Sequence, residues 1–310
     1  MHFGALPPGR ISSYLAFFIS SLFLDDPQSS LLPLRHCHVP SLNHLSRTVI
    51  PEQLNKAALI HDDQTYQTFS SVIGLDVSDP DSWFQSCLPI RHGGFGLSRM
   101  QSVAPMAFLA AWAHTSRELS LRLNSHELID NLFKRQSFEG SLSHHLSLAW
   151  ATIQEQMPEK SLLSEKSLSQ ILEEPEKLQH SFTCTMADHD YNLLLGKENS
   201  HEVSARLRSV SGKGAGAFLQ AIPTSNELAL KPGEFRLAAC LRLGLHLHFQ
   251  EMQDKCDCGT HFDSFGYDLM TCKHEGGPVW AHDSIVSSWS ECLSHEPLFL
   301  YWCLSAVFHP

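Results

Sequence analysis

The chain has 310 residues, of which 43% are hydrophobic, a proportion typical of a globular protein with one or two domains. It contains 22 basic and 33 acidic residues, so its formal charge is −11 when the 20 histidines are counted as neutral. Phosphate contacts supply much of the affinity for nucleic acid, so this charge excludes a uniformly basic nucleic-acid-binding protein. Six of the nine cysteines lie among apolar neighbours, which indicates reduced thiols in an intracellular protein of cytoplasm or nucleus rather than a secreted disulfide framework.

The pattern of apolar residues in the amino-terminal region predicts helices and no membrane-spanning segment. Its longest apolar run, 11–24, is shorter than the roughly 20 residues that cross a bilayer, so we expect a buried helix there. A signal peptide is the alternative, but Asp25 and Asp26 follow the run where a small-residue cleavage site would stand. A second helix is expected after Asp26 and Pro27, up to the neighbourhood of Pro40.

A third predicted helix begins at Pro51, since proline suits the first helical turn, and ends at Gly74. Residues at helical spacing form its predicted inward face: Leu54, Ala58, His61, Thr65, Phe69 and Val72. The adjacent Asp62 and Asp63 are similar to the carboxylate pairs that hold catalytic magnesium ions on β-hairpins. A helical period turns the two carboxylates apart, so we expect a solvated helix edge instead.

Residues 88–97, with the sequence LPIRHGGFGL, contain three glycines within four positions. This composition predicts a tight turn that leads into an alanine-rich helix over about 101–123. Small residues allow a second helix to approach closely, so we expect this helix in the core. Its predicted inward face consists of Val103, Ala107, Ala110, Ala111 and His114.

Residues 136–200 are predicted to be an acidic, serine-rich linker or insertion with short exposed helices. Over 155–200, nine acidic residues stand against four lysines, and Pro158 and Pro175 interrupt the pattern. The Asp-His-Asp triplet at 188–190 is expected to be a solvated turn, with cation binding as the alternative.

Residues 201–255 are predicted to be a glycine loop followed by a helical linker. The loop, SGKGAGAFLQAIP at 211–223, lacks the Gly-Lys-Ser/Thr ending of a phosphate-binding P-loop. We expect it to cap a short helix at 215–222, with backbone amides that could accept a phosphate. The next predicted helix ends at Gly244. Because 201–250 has six basic and three acidic residues, it is the strongest candidate for contact with a polyanion.

The carboxyl-terminal residues 256–310 contain the densest cluster of potential metal ligands. Cys256 and Cys258 are one residue apart, and Cys272 and His274 repeat that spacing. Zinc takes four thiolate, imidazole or carboxylate ligands in a tetrahedron, usually from two short knuckles. Two thiolates so close need a sharp backbone turn, which the glycine after the second cysteine would favour. The alternative is a small loop-rich subdomain with reduced cysteines and no metal.

Five stretches resemble, in matching order, the region that follows the polymerase core in non-LTR retrotransposon reverse transcriptases. Together they span about residues 25–290. They are DPQSSLLPLRHC at 26–37, LPIRHGGFGL at 88–97, SGKGAGAFLQAIP at 211–223, FRLAACLRLGL at 235–245 and the cysteine segment at 256–282. Each motif is short, and it is their common order that makes the resemblance specific.

The resemblance implies a mainly α protein that ends in a small loop-rich Cys/His module similar to a zinc knuckle. The expected parts are a helical thumb-like region at 1–135, the linker or insertion at 136–200, a helical linker at 201–255 and the Cys/His module at 256–310. The resemblance also implies Zn²⁺ as a cofactor, bound by Cys256, Cys258 and Cys272. This chain has Asp268 where the family commonly has a histidine, so the fourth ligand is expected among Asp268, His274 and His282.

RNA or DNA is the partner that the resemblance implies. The residues expected to contact it are Arg91, Arg206, Arg208, Lys213 and Arg242. No polymerase palm is expected before residue 25 and no nuclease core before Pro310, so no catalytic residue is predicted. The predicted function is a truncated, non-catalytic protein derived from a reverse transcriptase.

Two alternatives to this function remain open from the sequence. The first is a structural or protein-interaction remnant, or a pseudogene product, whose acidic surface and Cys/His module serve only folding. The second is a metal-dependent hydrolase that uses the histidine-rich segments, although the chain lacks a paired motif such as H-E-x-x-H.

Overall fold

The structure of the protein is a computed structural model that describes residues 26–74, 77, 79–122, 141–158, 161, 163, 165–173, 176–197, 201–222, 229–246, 259, 261 and 263–266. These residues are mainly α-helical, as the sequence predicted. Their α-helices are α1 (Pro27–Pro33), α2 (Asn43–Thr48), α3 (Pro51–Ile73), α4 (Pro80–Cys87), α5 (Met100–Arg122), α6 (Leu142–Gln156), α7 (Leu168–Glu173), α8 (Leu178–Gly196), α9 (His201–Ser209) and α10 (Pro232–Leu243). Short π-helical or 3-10 turns lie at Leu34–His38, Val39–Leu42, Ile90–His92 and Ala217–Leu219. Within the described ranges, no helix is both long and apolar enough to cross a bilayer.

Helix α5 is the central element of the core, and α2, α3, α6, α7 and α8 all pack against it. Small residues on α5, such as the fully buried Ala107 and Ala113, let these helices approach closely. Phe108 of α5 and Phe182 of α8 fill the remaining space, and burial of each such side chain contributes about 1.5–3 kcal/mol. The predicted core helix is thereby confirmed, although His114, expected on its inward face, is exposed.

Helix α3 also follows its predicted pattern. All six residues of the predicted inward face are buried, and Gly74 ends the helix with φ of 64°, a left-handed conformation that favours glycine. The carboxylate of Asp62 accepts hydrogen bonds from the N–H groups of Met100 (2.6 Å) and Gln101 (3.1 Å). The start of a helix leaves such amides without partners, so Asp62 caps α5 and links it to α3.

The described part of 136–200 differs from the predicted linker. Helices α6, α7 and α8 lie there, and they bury Leu146, Ile153 and Ile171 in the same core as α5. Composition suggested a linker because serine and charged residues outnumber the apolar ones, but the apolar residues recur at helical spacing and point inward. The triplet at 188–190 belongs to α8 and is not a turn.

The chain divides into two compact units, 1–245 and 246–310, so the boundary lies inside the predicted helical linker rather than at its end. In the second unit, the carboxylate of Asp263 accepts a hydrogen bond from the N–H of Phe265 at 2.7 Å. The predicted amino-terminal helix at 11–24 lies outside the described residues, as do all six predicted zinc ligands: Cys256, Cys258, Asp268, Cys272, His274 and His282.

A stacked pair of buried histidines joins the turn Leu34–His38 to α3. The rings of His38 and His61 are parallel, with centroids 4.5 Å apart, and the two residues are 1% and 2% exposed. His61 Nε2 donates to the carbonyl oxygen of His38 at 3.0 Å. Burial, and next the charge of a protonated His61, lower the pKa of His38 to about 4, so its ring is neutral at pH 7.

This buried pair predicts a loss of stability in mild acid. The folded-state pKa of His38 lies below the usual value of 6.5, so the unfolded chain takes up the proton first. The neutral, buried ring of His38 contributes its full stabilisation above about pH 6.5. This stabilisation is lost as the pH falls towards 4, which lowers the free energy of unfolding by about 1–3 kcal/mol. Urea unfolding of the wild type and of His38→Gln at pH 7.5 and pH 4.5 measures it. A smaller acid loss in the variant is expected, and equal losses in the two proteins would contradict the prediction.

Candidate nucleic-acid interface

Two glycine-containing segments, 88–97 and 210–219, meet beside the last turn of α10. The N–H of Gly212 donates to the carbonyl oxygen of Arg91 at 2.7 Å and joins the two segments directly. Gly93 ends the turn Ile90–His92 with φ of 83°, and Gly212 has φ of 94°, values that favour glycine over other residues. The glycine-rich sequences therefore fold as tight loops that place basic side chains near each other.

The guanidinium of Arg242 donates hydrogen bonds to both loops. It makes five hydrogen bonds to four backbone carbonyl oxygens, those of Ile90 (2.8 Å), Gly94 (3.0 and 3.2 Å), Val210 (3.0 Å) and Ala215 (3.1 Å). Its Cζ also lies 5.8 Å from the centroid of the Phe95 ring. Burial lowers the pKa of Arg242 to about 10, so the group remains charged at neutral pH.

Two further glycines allow this close packing, Gly94 inside the first loop and Gly216 between the two loops. A Cβ on Gly94 would lie 2.0 Å from the carbonyl oxygen of Leu88, and one on Gly216 would lie 2.1 Å from Cγ2 of Ile90. Gly216 is thus required for contact between the second loop and the turn that carries Arg91. The predicted short helix at 215–222 is only the 3-10 turn Ala217–Leu219.

The last turn of α10 is anchored by polar side chains from other helices. The buried Gln85 of α4 donates from Nε2 to the carbonyl oxygens of Arg242 (2.8 Å) and Gly93 (3.0 Å). Arg206 of α9 donates to the Arg242 carbonyl oxygen and, at 3.1 Å, to Gln85 Oε1. These bonds satisfy a carbonyl that the end of a helix leaves without a partner.

Three of the predicted nucleic-acid contacts lie exposed around the joined loops. Arg91 and Lys213 lie on the two loops, and Arg208 lies in the last turn of α9, where its carbonyl oxygen accepts from the N–H of Ser211 at 3.3 Å. We call Arg91, Arg208 and Lys213 the basic surface. Asp188 approaches it, 3.8 Å from Arg91 and 3.0 Å from His92. An exposed pair of this kind contributes only about 0–1 kcal/mol, so Arg91 can exchange it for a phosphate.

The other two residues predicted to contact nucleic acid, Arg242 and Arg206, donate hydrogen bonds within the protein instead. Arg242 is 2% exposed, and its hydrogen bonds to backbone match the number of its N–H donors, so no donor is left for a phosphate. Because it is buried, Arg242 is not the exposed nucleic-acid contact that was predicted from the sequence. Arg206 is half-buried and bonded to Gln85. In the glycine loop, the N–H of Gly212 is occupied by Arg91, so that amide is not part of a phosphate cradle.

Sequence reasoning missed two buried glutamines that hold this region. Besides Gln85, Gln28 of α1 is 4% exposed; its Nε2 donates to the carbonyl oxygen of Phe218 at 3.1 Å, and its Oε1 accepts from the N–H of Leu230 at 3.1 Å. A glutamine on a short helix carries no pattern that distinguishes a buried position from an exposed one. Across the described ranges, no group of three or more histidine, cysteine or acidic residues is arranged to hold a metal ion.

Comparison with known proteins finds no match for this chain among protein-family models, curated proteins or solved structures. The geometry of the loops, the burial of Arg242 and the exposure of the basic surface are therefore the observations from which a function is argued.

The position of Arg242 predicts that its replacement strongly destabilises the protein. Arg242→Met removes the side-chain donors from four carbonyl oxygens, and Arg242→Lys keeps the charge but offers fewer N–H donors than there are acceptors. We expect Arg242→Met to lower the free energy of unfolding by about 3–5 kcal/mol and Arg242→Lys by somewhat less. The exposed Arg208→Met is the matched control, with an expected change within about 0.5 kcal/mol. Equal denaturation midpoints for Arg242→Met and Arg208→Met would contradict the prediction.

Proposed function

We propose that this chain is a non-catalytic nucleic-acid-binding protein derived from the post-polymerase region of a non-LTR retrotransposon reverse transcriptase. The family origin rests on the five ordered motifs in the sequence. The contact with RNA or DNA rests on the basic surface of Arg91, Arg208 and Lys213. The observation that carries it is the Gly212–Arg91 hydrogen bond, because it brings two separate basic segments of the chain together.

The chemistry of the basic surface suits the phosphate backbone rather than base recognition. Three exposed cations, two on the joined loops and one in the last turn of α9, can each neutralise a phosphate and release a counterion, which gives affinity without sequence preference. Carboxylates elsewhere in a chain of formal charge −11 oppose the approach of a polyanion. The expected binding is therefore weak, with strong dependence on salt concentration.

A zinc-binding module at 256–310 is the second part of the proposal. Three thiolates with one imidazole or carboxylate are a donor set that suits structural Zn²⁺, so Cys256, Cys258 and Cys272 would bind with Asp268, His274 or His282 as the fourth ligand. Gly259, the residue after Cys258, has φ of 86°, which supports the sharp turn that a C-x-C knuckle needs. Bound zinc would supply folding energy to this unit and no catalysis.

A structural or protein-interaction role is the second candidate function. The observation that favours it is the acidic formal charge of −11, which makes a polyanion an unfavourable partner for most of the surface. The two functions differ in their response to loss of the basic surface, because only nucleic-acid binding depends on it.

Neutralising the basic surface is expected to weaken binding of a single-stranded oligonucleotide and to reduce its salt dependence. The test variant carries Arg91→Gln, Arg208→Gln and Lys213→Gln. Each lost phosphate contact reduces the slope of log K against log salt concentration by about 0.7 for a single strand, so a total reduction of about 2 is expected. Fluorescence anisotropy with a labelled oligonucleotide measures the binding constant at roughly 25–150 mM salt, a range that ends at about physiological ionic strength.

The matched control removes two arginines and one lysine from other exposed positions, with Lys56→Gln, Arg117→Gln and Arg122→Gln. The net charge of the two triple variants is the same, so a general effect of charge would weaken both equally. Equal weakening in the two variants, or no binding by the wild type at the lowest salt, would contradict the proposed surface.

Zinc removal is expected to unfold the second unit and leave the first intact. The two units are separately compact, so a chelator should shift the thermal transition of 246–310 while the transition of 1–245 is unchanged. Elemental analysis of the purified protein is expected to give one zinc per chain, and about none for the double variant Cys256→Ser and Cys258→Ser. A wild-type preparation grown with zinc that contains no bound metal would contradict the zinc module and leave the nucleic-acid proposal standing.

A further inference from the structure

An open cleft of about 660 Å³ lies between α2, α5 and the start of α8. Its size is within the range of small-molecule sites, roughly 300–1,000 Å³. The side chains of Arg47, His114, Lys177 and His180 line it, and among its described lining residues there is no carboxylate. In a chain whose formal charge is −11, this lining is a local concentration of positive charge.

The protein's own contacts leave the cations of the cleft free to meet a ligand. Arg47 Nη2 donates to the neutral amide oxygen of Gln179 at 3.1 Å, which orients the guanidinium without neutralising it. Glu176 immediately precedes Lys177, but its carboxylate lies 3.3 Å from Arg117 and is not part of the lining. Among the described residues that line the cleft, therefore, no carboxylate neutralises the charge of Arg47 or Lys177.

The backbone at the rim of the cleft adds a second observation. Lys177 has φ of 55° and is the one non-glycine residue with positive φ in the described part of the chain. Such a conformation costs about 1–2 kcal/mol for a residue other than glycine, asparagine or aspartate. Lys177 precedes the first turn of α8 and gives it no side-chain cap, and the residues of that turn, Leu178 and Gln179, also line the cleft. The positive end of a 19-residue helix therefore coincides with the cationic side chains.

We infer that this cleft binds a small phosphorylated molecule of about the size of a mononucleotide, through Arg47 and Lys177. Two cations match a phosphate monoester, which carries about −1.5 to −2 charges at pH 7, better than a single carboxylate. Ala110 and Ala111 provide an apolar wall for an organic group, and the volume exceeds what inorganic phosphate alone would fill. The site shares no residue with the basic surface and does not rest on the proposed function.

Isothermal titration of the full chain with AMP, adenosine and inorganic phosphate tests the site. AMP is expected to bind with a dissociation constant of about 1 mM or lower, and both adenosine and inorganic phosphate at least about tenfold more weakly. Adenosine isolates the contribution of the phosphate, and inorganic phosphate isolates that of the organic group. No heat of binding with AMP at millimolar concentration would overturn the inference.

Substitutions at the exposed Thr115 of α5 locate the binding without removing any existing contact of the cations. Thr115→Glu places a carboxylate in the lining and is expected to weaken AMP binding at least about tenfold, whereas Thr115→Gln is expected to leave it unchanged. Undiminished AMP binding by Thr115→Glu, or equal weakening by Thr115→Gln, would overturn the assignment. Unfolding midpoints equal to that of the wild type show that each variant is folded.

A second variant removes the cations themselves. Arg47→Gln with Lys177→Asn deletes both charges, and asparagine tolerates the left-handed backbone at 177. AMP binding is expected to fall at least about tenfold, while Lys56→Gln, a charge loss outside the cleft, leaves it unchanged. A single-stranded oligonucleotide that displaces AMP, and whose own binding falls in Thr115→Glu, would show that the cleft belongs to a nucleic-acid surface and would overturn the small-molecule inference.

Discussion

The guanidinium of Arg242 is the interaction on which the described carboxyl-terminal part of the first unit depends. It replaces water at the carbonyl oxygens of Ile90, Gly94, Val210 and Ala215, which belong to segments more than a hundred residues apart in sequence. A buried cation is stable only when its donors are satisfied, and Arg242 meets this condition with backbone alone. The loops that carry Arg91 and Lys213 are therefore held together by a buried charge whose N–H donors all bind the backbone.

Charge is distributed unevenly over this acidic chain. The basic surface and the cleft that Arg47 and Lys177 line are local exceptions to a formal charge of −11. The described lining of the cleft has no carboxylate, and the exposed Asp188 lies 3.8 Å from Arg91 of the basic surface. Exposed cations of this kind contribute little to stability, so their clustering is not required by the fold. The acidic remainder of the chain repels a polyanion, so any favourable electrostatic approach of a phosphate is confined to these two places.

The sequence predicted those features that follow from local periodicity and backbone chemistry. The inward face of α3 and its end at Gly74 were readable because apolar residues recur at helical spacing and glycine adopts positive φ. The packing of the helices within 136–200 into the core was not predicted, because amino-acid composition does not record where along the chain the apolar residues lie. Arg242 was predicted to face a polyanion because a sequence shows charge but not burial; its role depends on carbonyl groups that only the folded backbone brings together. The same limit applies to Gln28 and Gln85, whose partners are also distant in sequence.

Hydrogen exchange in the two loops tests most directly whether Arg242 holds them together. In the wild type, the amide of Gly212 donates to the carbonyl oxygen of Arg91 at 2.7 Å and is expected to exchange slowly. In Arg242→Lys, under conditions where the protein remains folded, the amides of 210–219 are expected to lose protection while those of α3 keep it. Wild-type protection at Gly212 in this variant would contradict the central role of Arg242.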